Sequence, residues 1–598
     1  MKTFSIQTLG CKVNHYESEQ LAQLLRQRGL RQTEPAAADL RVINTCSVTT
    51  AAASQSRQAV RRVVRLPLLD ARAAAQPLSA PSQGAHQHGA LGAEGPSTKL
   101  IPARRDSTTL RAGPATTLRA GRTDALSSLA CGGDLTAVPL TTVLGAAPST
   151  AHSNGTRPRV LVTGCWATSD REAAQNLPGV DAVLGHHHNI ARELDRLLEV
   201  WQGQDSATSP VSQTSEGEQL PGPDKQNDID GWIKEAGATE SHLTGAIKSS
   251  GRLQVNQIFV EMSQKIPARG PDGAEARCIG TTSLPLLGQR QSGRQRAVLK
   301  IQDGCDAHCT YCIIPTLRPS LWSKPLDQVI AEARALVAAG HVEIVLTGIF
   351  LGAYGQATAL RRRQQIGADK YLGKLIESLC TQVHGLRRLR LSSLEPGDLS
   401  ADLISILHSH HQLVPHFHLP LQSGSDLILR RMNRQYTRDD FQQMIDRLHQ
   451  AFDRPALTTD IVVGFPGEDD AEFEETLDMV RRSNFIHVHA FPYSPRPGTA
   501  AARWKDQFIY GSQVNERTER LRAMAEEQSH SFRRSFINEV VELIVEHDGP
   551  QHAHAITRHG RCERYFDVRF EDPVATPGDA RRVRIAQVTR EGTIGEVW

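Results

Sequence analysis

The sequence predicts a multidomain α/β protein: an N-terminal Rossmann-like α/β domain, a partial (β/α)6 barrel, and a small C-terminal β-barrel. Three observations carry this reading. Strand-like and helix-like segments alternate over residues 1–66 and 158–202, and again over 297–534, as in parallel sheets built with crossovers. From residue 535 the pattern changes to short alternating strands separated by Gly, Asp and Pro. A chain of 598 residues also exceeds what a single core usually holds.

In the first domain, Phe4 to Leu9 reads as a strand ending at Gly10-Cys11, with a helix over Ser18 to Arg28 that puts Leu21, Leu24 and Leu25 on one face. Leu40 to Cys46 repeats the plan, followed by a helix over Ala51 to Val64, and Arg159 to Cys165 gives it a third time. Each strand delivers one cysteine at its C-terminal end. In an open α/β sheet those ends line a common crevice, so Cys11, Cys46 and Cys165 are expected to converge, the alternative being three unrelated buried cysteines. The repeats are interrupted by residues 67–157, and the domains by 203–296, stretches of Ala, Gly, Ser, Pro and Thr that read as low-complexity insertions. Cys131, Cys278 and the apolar patch Gln257 to Val260 fall inside them.

Order returns with the strand Ala297 to Ile301. Strands then follow at Glu343 to Thr347, Arg388 to Leu394, His416 to Leu421, Leu457 to Val463 and Ile486 to Phe491, each alternating with helical periodicity. Polar or Gly-rich turns recur at the strand ends where such folds place their sites: Thr347-Gly348, Gln422-Ser423 and Gly464 to Glu468. Thr518 to Arg534 reads as an exposed, charged connecting helix. The last domain, 535–598, has strands at Val540 to Glu546, Ala553 to Arg558, Tyr565 to Phe570, Ala580 to Val588 and Thr593 to Val597. Its arginines 558, 561, 564, 569, 581, 582 and 584, with Tyr565 and Phe566, read as a phosphate-and-stacking surface or as a solvated charged face.

Composition sets limits. With 68 basic against 65 acidic side chains the net charge is +3, so any nucleic-acid footprint is local. Ten cysteines, mostly in ligand-like settings, point to a reducing compartment. The start of the chain carries no signal-peptide apolar segment and no run approaches spanning length, so a cytoplasmic protein with no membrane partner is expected. The sequence is silent on oligomeric state.

The chemistry is concentrated after the strand at 297–301. Cys305, Cys309 and Cys312, at Cys-x3-Cys-x2-Cys spacing in a tight polar loop, can bind three irons of a four-iron cubane and leave the fourth open. A closed zinc site would ask for paired cysteines, and a ferredoxin-type carrier for a fourth; the next cysteine, Cys380, falls in a helix-like stretch. Two three-thiolate sets give two open irons. His186-His187-His188 reads as a polar turn in preference to a metal site, since neighbours on an extended chain cannot all face one ion.

These cysteines, with the aromatic Tyr311 before the last of them, resemble the signature of radical S-adenosylmethionine (SAM) enzymes. That resemblance implies a [4Fe-4S] cluster whose open iron is chelated by SAM, and reductive cleavage of SAM to a 5'-deoxyadenosyl radical. The whole arrangement outside the insertions is similar to the methylthiotransferase family. The resemblance implies a second [4Fe-4S] cluster at Cys11, Cys46 and Cys165, and a TRAM-like RNA-binding domain at 535–598.

Within the family, Thr8 to Asn14 with Glu17-Ser18, Asn44 to Thr49 with Ser56-Arg57-Gln58, Arg390 to Pro396, His416 to Arg434 and Phe491 to Thr499 resemble the branch acting on N6-threonylcarbamoyladenosine (t6A). The implied reaction is methylthiolation at C2 of t6A at position 37, in the tRNA anticodon loop. The radical removes hydrogen from C2, a methylated sulfur on the auxiliary cluster is transferred, and a second SAM supplies the methyl group. Tyr311, Thr347, Gly348, Gln422, Ser423, Gly464, Gly467 and Glu468 are the implied SAM contacts, with simple turn chemistry the alternative at the turn positions. An electron donor such as flavodoxin or ferredoxin is the implied partner. One departure stands out: where the family shows a Gly and an Arg-Ser-Arg-like run after the third cysteine, this chain has Thr316 to Lys324, leaving Arg318 and Lys324 as basic contacts. Other readings are the same chemistry on isopentenyladenosine or on a ribosomal-protein aspartate, and a non-catalytic iron-sulfur protein that binds RNA or carries electrons.

Overall fold

The computed structural model describes residues 1–68, 157–207, 284–289, 295–360, 369–546 and 557–598. Cys131, Cys278 and Gln257 to Val260 lie outside the described residues.

The N-terminal sheet has five parallel strands, β1 (Thr3–Thr8), β2 (Arg31–Gln32), β3 (Leu40–Thr45), β4 (Arg159–Gly164) and β5 (Ala182–Leu184), in the order β2-β1-β3-β4-β5. Strand order reverses between β1 and β3, the switch point at which open α/β sheets bind ligands. The central strand β3 is buried along its whole length, as a strand covered on both faces must be. Its Arg41 stays buried because the guanidinium donates to the carbonyls of Val63 and Pro67 at 2.9 and 3.0 Å, closing the C-terminal end of helix Thr50–Arg65. The first helix spans Lys12–Gln27 and starts directly after Cys11, six residues earlier than the apolar periodicity indicated. Its first turns are polar because they serve the site and the next domain.

Six parallel strands follow: β6 (Arg296–Lys300), β9 (Glu343–Thr347), β10 (Arg388–Leu391), β11 (His416–His418), β12 (Ala456–Val463) and β13 (His487–Pro492). They form two three-stranded sheets, β6-β9-β10 and β11-β12-β13, with bridges Leu389–Leu413 and Ser393–His418 spanning the gap. Helices cover one face and bury Leu299, Leu346, Leu389, Phe417, Leu457 and Val488. Between β6 and β9, the short antiparallel pair β7 (Gln302–Asp303) and β8 (Trp322–Ser323) closes the stem of the cysteine loop.

The helix near the end of this region is Ser512–Arg534, and it is not the exposed connector expected. Val514, Leu521 and Ala525 pack into the core, because β13 needs a cover on its helical side. The insertion expected over 203–296 is also shorter at both ends. Helix Ile190–Ala207 runs past its start, and residues 284–289 form a strap. Leu284 joins the N-terminal core and Leu287 the second core, while Gln20 donates to the Pro285 carbonyl at 2.8 Å and Leu287 N–H to Glu332 at 2.8 Å.

The C-terminal strands β14 (Val540–Val545), β15 (Thr557–Cys562), β16 (Asp567–Glu571), β17 (Ala580–Val588) and β18 (Thr593–Val597) close a barrel in the order β14-β15-β16-β18-β17. Of the expected strand Ala553 to Arg558, residues 553–556 lie outside the described residues; β15 runs on to Cys562, which is buried and pairs with Leu543, and Glu563 to Tyr565 make the turn. Among the described residues no helix is long and apolar enough to cross a membrane.

Candidate active site: two three-cysteine loops

Cys11, Cys46 and Cys165 follow β1, β3 and β4 and meet at one end of the sheet. Asn14 organises them. Its amide donates to the carbonyls of Leu9 and Thr45, both at 2.9 Å, and its Oδ1 faces the sulfurs of Cys11 and Cys165 at 3.9 and 3.8 Å. Ser56 accepts from Cys46 N–H at 3.0 Å and donates to its carbonyl at 2.8 Å. Gly10 has φ +98°, and a Cβ there would meet the Cys46 sulfur at 2.8 Å, so only glycine lets Cys46 lie against the Cys11 turn.

The second loop begins at Gly304, φ +80°, where a Cβ would run into the Ser320 carbonyl. Cys305 N–H donates to the Arg318 carbonyl at 3.1 Å and Cys312 N–H to the Cys309 carbonyl at 3.0 Å. The loop is clamped from outside. Asn433 donates to the His308 carbonyl at 3.1 Å, Thr310 Oγ1 to the Arg431 carbonyl at 2.8 Å, and Asp306 accepts from Ala359 N–H at 2.6 Å. Arg434 donates to the Cys309 sulfur at 3.3 Å and is itself paired with Glu395. N–H donors to cluster-ligating sulfur are the outer-shell contacts that stabilise a thiolate and tune a bound cluster. Burial pushes the Cys305 and Cys312 thiols up to about 12 and Cys165 well above the usual range.

The two sets are neighbours: Cys165 packs against Ile313 and Leu317, immediately after Cys312. The donor chemistry fits two iron-sulfur clusters, because each set offers three thiols. Cys380 and Cys562 are buried in separate hydrophobic cores. No group of three or more His, Cys, Asp or Glu among the described residues gathers as a single-ion site.

The other expected contacts are dispersed in role. Tyr311 packs edge-on against Phe465, ring centroids 6.3 Å apart, tying the cysteine loop to the turn after β12. Thr347 is buried at the end of β9, and a Cβ on Gly348 would meet Gln302 at 3.0 Å. Gln422 has φ +66° and pairs with Asp460 and Val462 through its backbone. Ser423 is fully buried with its hydroxyl 3.3 Å from Thr476 Oγ1. Gly464 and Gly467 have φ +72° and +79°. The Glu468 carboxylate accepts from Gly464 N–H at 2.8 Å and from Arg517 at 2.9 Å; burial nevertheless pushes it up to about 7. Ser423 and Glu468 thus hold their turns through their side chains.

Arg318 and Lys324 do not face an open site. Arg318 is buried between Glu17 (2.8 and 2.9 Å) and Asp303 (2.8 and 2.9 Å), with His186 Nε2 at 3.1 Å, and Lys300 reaches both carboxylates at 2.7 Å. Lys324 pairs with Glu332 and accompanies Tyr16 Oη at 2.7 Å. Both cations join the first helix to the cysteine-loop stem. Asn14, Glu17, Glu395 and Arg434 lie inside the quoted motifs, yet spacing alone assigned them no role.

The expected stacking surface divides. Tyr565 stacks on His416 at 4.1 Å, and Phe566 is buried with Phe532 and Phe536, so both face inward. Arg561 and Arg564 follow them, pairing with Asp567 and with the Asp453 carbonyl. Arg569 and Arg582 remain exposed, and Arg584 lies 3.8 Å over the exposed ring of Trp598.

Comparison with known proteins agrees with this geometry. Residues 299–480 match the radical SAM superfamily, and 3–74 match the uncharacterized protein family UPF0004. The threonylcarbamoyladenosine tRNA methylthiotransferase MtaB of Bacillus subtilis (strain 168) is 28% identical over 586 residues, 98% of this chain and 94% of that protein. The tRNA-2-methylthio-N(6)-dimethylallyladenosine synthase of Maricaulis maris is 36% identical, covering 52% of this chain and 67% of that protein. MtaB of Chlamydia pneumoniae is 37% identical, covering 51% and 68%. The chain belongs to the radical SAM methylthiotransferase family. This methylthiotransferase works with [4Fe-4S] clusters and SAM, the cofactors of its family. Among solved structures, the radical SAM methyltransferase TsrM of Kitasatospora setae aligns over 84% of this chain and 77% of its own, at 13% identity and TM-score 0.43.

Proposed function

We propose that the protein methylthiolates C2 of N6-threonylcarbamoyladenosine at position 37 of tRNA, in the cytoplasm, drawing electrons from a donor such as flavodoxin or ferredoxin. In this reading residues 1–66 with 158–202 form the auxiliary domain, 297–534 the radical barrel and 535–598 a TRAM-like tRNA-binding barrel. The observation that carries it is the packing of Cys165 on Ile313 and Leu317, which brings the three-thiol set of the N-terminal sheet beside the Cys305–Cys312 loop. Residues 305, 309 and 312 hold one cluster and residues 11, 46 and 165 the other. When bound, the first cluster with SAM supplies the radical that takes hydrogen from C2, and the second the sulfur that replaces it.

The chain's own groups do the positioning. Arg434 shields the Cys309 sulfur, Asn433 and Thr310 fix the loop, and Asn14 sets the angle between Cys11 and Cys165. The Tyr311–Phe465 contact keeps water from the loop's apolar flank. The t6A substrate is supported by similarity to MtaB along nearly the whole chain. A dimethylallyl substrate is the second reading, favoured by the 36% identity of the Maricaulis protein across about half the chain. Mass spectrometry of tRNA nucleosides from cells with and without the gene separates them. Loss of 2-methylthio-t6A with t6A accumulating supports the proposal; loss of the dimethylallyl product instead transfers the activity to the second reading.

A further inference from the structure

The barrel strands bury one face beneath helices, so the residues of opposite alternation line the concave face. That face is unusually charged: Arg296, Glu343, Arg390, His416, His418, Asp460 and His489. Tyr565 from the C-terminal barrel forms its floor, stacked on His416 at 4.1 Å with the Arg390 guanidinium 5.0 Å from its ring. From the side, Lys12 enters at the start of the helix that packs on β6, its ammonium within electrostatic reach of Arg390, Asp460 and Tyr565.

Most of these charges are matched. Arg296 pairs with Glu546 at 3.1 Å, Arg561 with Asp567 at 2.8 Å, and His418 lies 3.3 Å from Asp460. Two cationic donors are left over. Lys12 has no hydrogen bond or ion pair among the described residues. Arg390 spends Nε on Glu343 at 2.9 Å, but its Nη2 has no partner although the residue is only 2% exposed. A buried guanidinium nitrogen without an acceptor is costly, and the group that satisfies it beside an ammonium is an oxyanion.

We propose that Lys12 and Arg390 form a carboxylate-binding end of the substrate pocket, selecting an adenosine whose N6 substituent is anionic. This rests on the t6A reading above. Lys12 directly follows Cys11, so its side chain runs from the sulfur-donating loop into the concave face. C2 and C6 flank N1 in the same six-membered ring and C6 carries N6, so a base presenting C2 to Cys11, Cys46 and Cys165 extends its N6 substituent into that neighbourhood. The threonylcarbamoyl carboxylate supplies the missing acceptor, whereas a dimethylallyl group leaves the Lys12 ammonium and the Arg390 Nη2 without one.

The test uses reconstituted full-length protein and anticodon stem-loop RNAs carrying t6A, its methyl ester or isopentenyladenosine, reading kcat/KM for the methylthio nucleoside. Wild-type protein is expected to favour t6A over the ester by about tenfold or more. Lys12→Gln is expected to lower kcat/KM on t6A by about tenfold, mainly through KM, with unchanged iron and sulfide content and little change on the ester. Equal turnover of acid and ester by wild type, or an equal loss on both in Lys12→Gln, overturns the carboxylate site while the t6A reading stands. Methylthiolation of isopentenyladenosine RNA with none on t6A RNA overturns both. The acid-versus-ester comparison in wild type decides the matter even if the variant fails to load iron.

Discussion

Replacing Arg318 by leucine removes the cation that joins the first helix to the cysteine-loop stem. In the native protein its side chain is 3% exposed and donates to both Glu17 oxygens and to Asp303, and Lys300 reaches both carboxylates as well. Leucine keeps much of the volume but strands two buried carboxylates with one lysine. Breaking a buried pair in this way costs about 3–5 kcal/mol. Glu17 gives a second estimate. Burial alone would raise its pKa, but Arg318 and then Lys300 outweigh burial and hold it at about 2 instead of 4.5. That difference is worth about 3 kcal/mol at neutral pH. Because the folded pKa is depressed, this stability is present above pH 4.5 and disappears as pH falls toward 2. In Arg318→Leu the sign reverses. A carboxylate left buried without its guanidinium binds protons more readily folded than unfolded, so the variant is expected to gain stability as pH is lowered from 7 to 5. Urea unfolding of the full chain at several pH values measures both effects. A variant with the wild-type midpoint, or with the wild-type acid profile, refutes the assignment of Arg318 as the central cation. Glu17→Gln added to Arg318→Leu is expected to recover part of the loss, because one stranded charge is gone.

Gly304→Ala is expected to destabilise the loop by at least about 2 kcal/mol and to reduce iron loading, since positive φ and the Ser320 carbonyl leave no room for a Cβ; iron content per chain checks it. Leu287→Ala is expected to cost about 2–4 kcal/mol in urea unfolding, because Leu287 of the 284–289 strap is buried in the second core. Arg569→Ala with Arg582→Ala is expected to weaken tRNA binding and to lower the salt dependence of log K by about two charges, measured by titration at several salt concentrations.

Much of the fold was legible in the sequence because its signals were local. Each barrel strand and each cysteine-bearing strand end announced itself through apolar runs bounded by Gly or polar turns; the cysteine spacing pointed to an open-iron cluster, and its resemblance to the radical SAM signature supplied the chemistry. What escaped was produced by tertiary contact. The first helix begins at Lys12 instead of Ser18 because Asn14, Tyr16 and Glu17 face the site and the neighbouring domain, so its first turns lack the apolar periodicity that marks Ser18 to Arg28. Arg318 looked like a basic site contact, yet the acids that consume it lie 15 and 301 positions away. Tyr565 and Phe566 looked like an RNA platform because charge and aromatic residues alternate there, but docking against the barrel turned both inward. The 284–289 strap follows a low-complexity stretch, and only its contacts distinguish it.

In the proposed reaction the two neighbouring three-thiol sets divide the work, Cys305, Cys309 and Cys312 generating the radical and Cys11, Cys46 and Cys165 supplying sulfur. The most direct test measures 5'-deoxyadenosine and 2-methylthio-t6A in the same reactions of reconstituted wild-type, Cys165→Ala and Cys305→Ala protein with t6A-containing tRNA. Wild type is expected to give both products, Cys165→Ala 5'-deoxyadenosine without the methylthio nucleoside, and Cys305→Ala neither. Methylthio product from Cys165→Ala at the wild-type level would contradict this division of work.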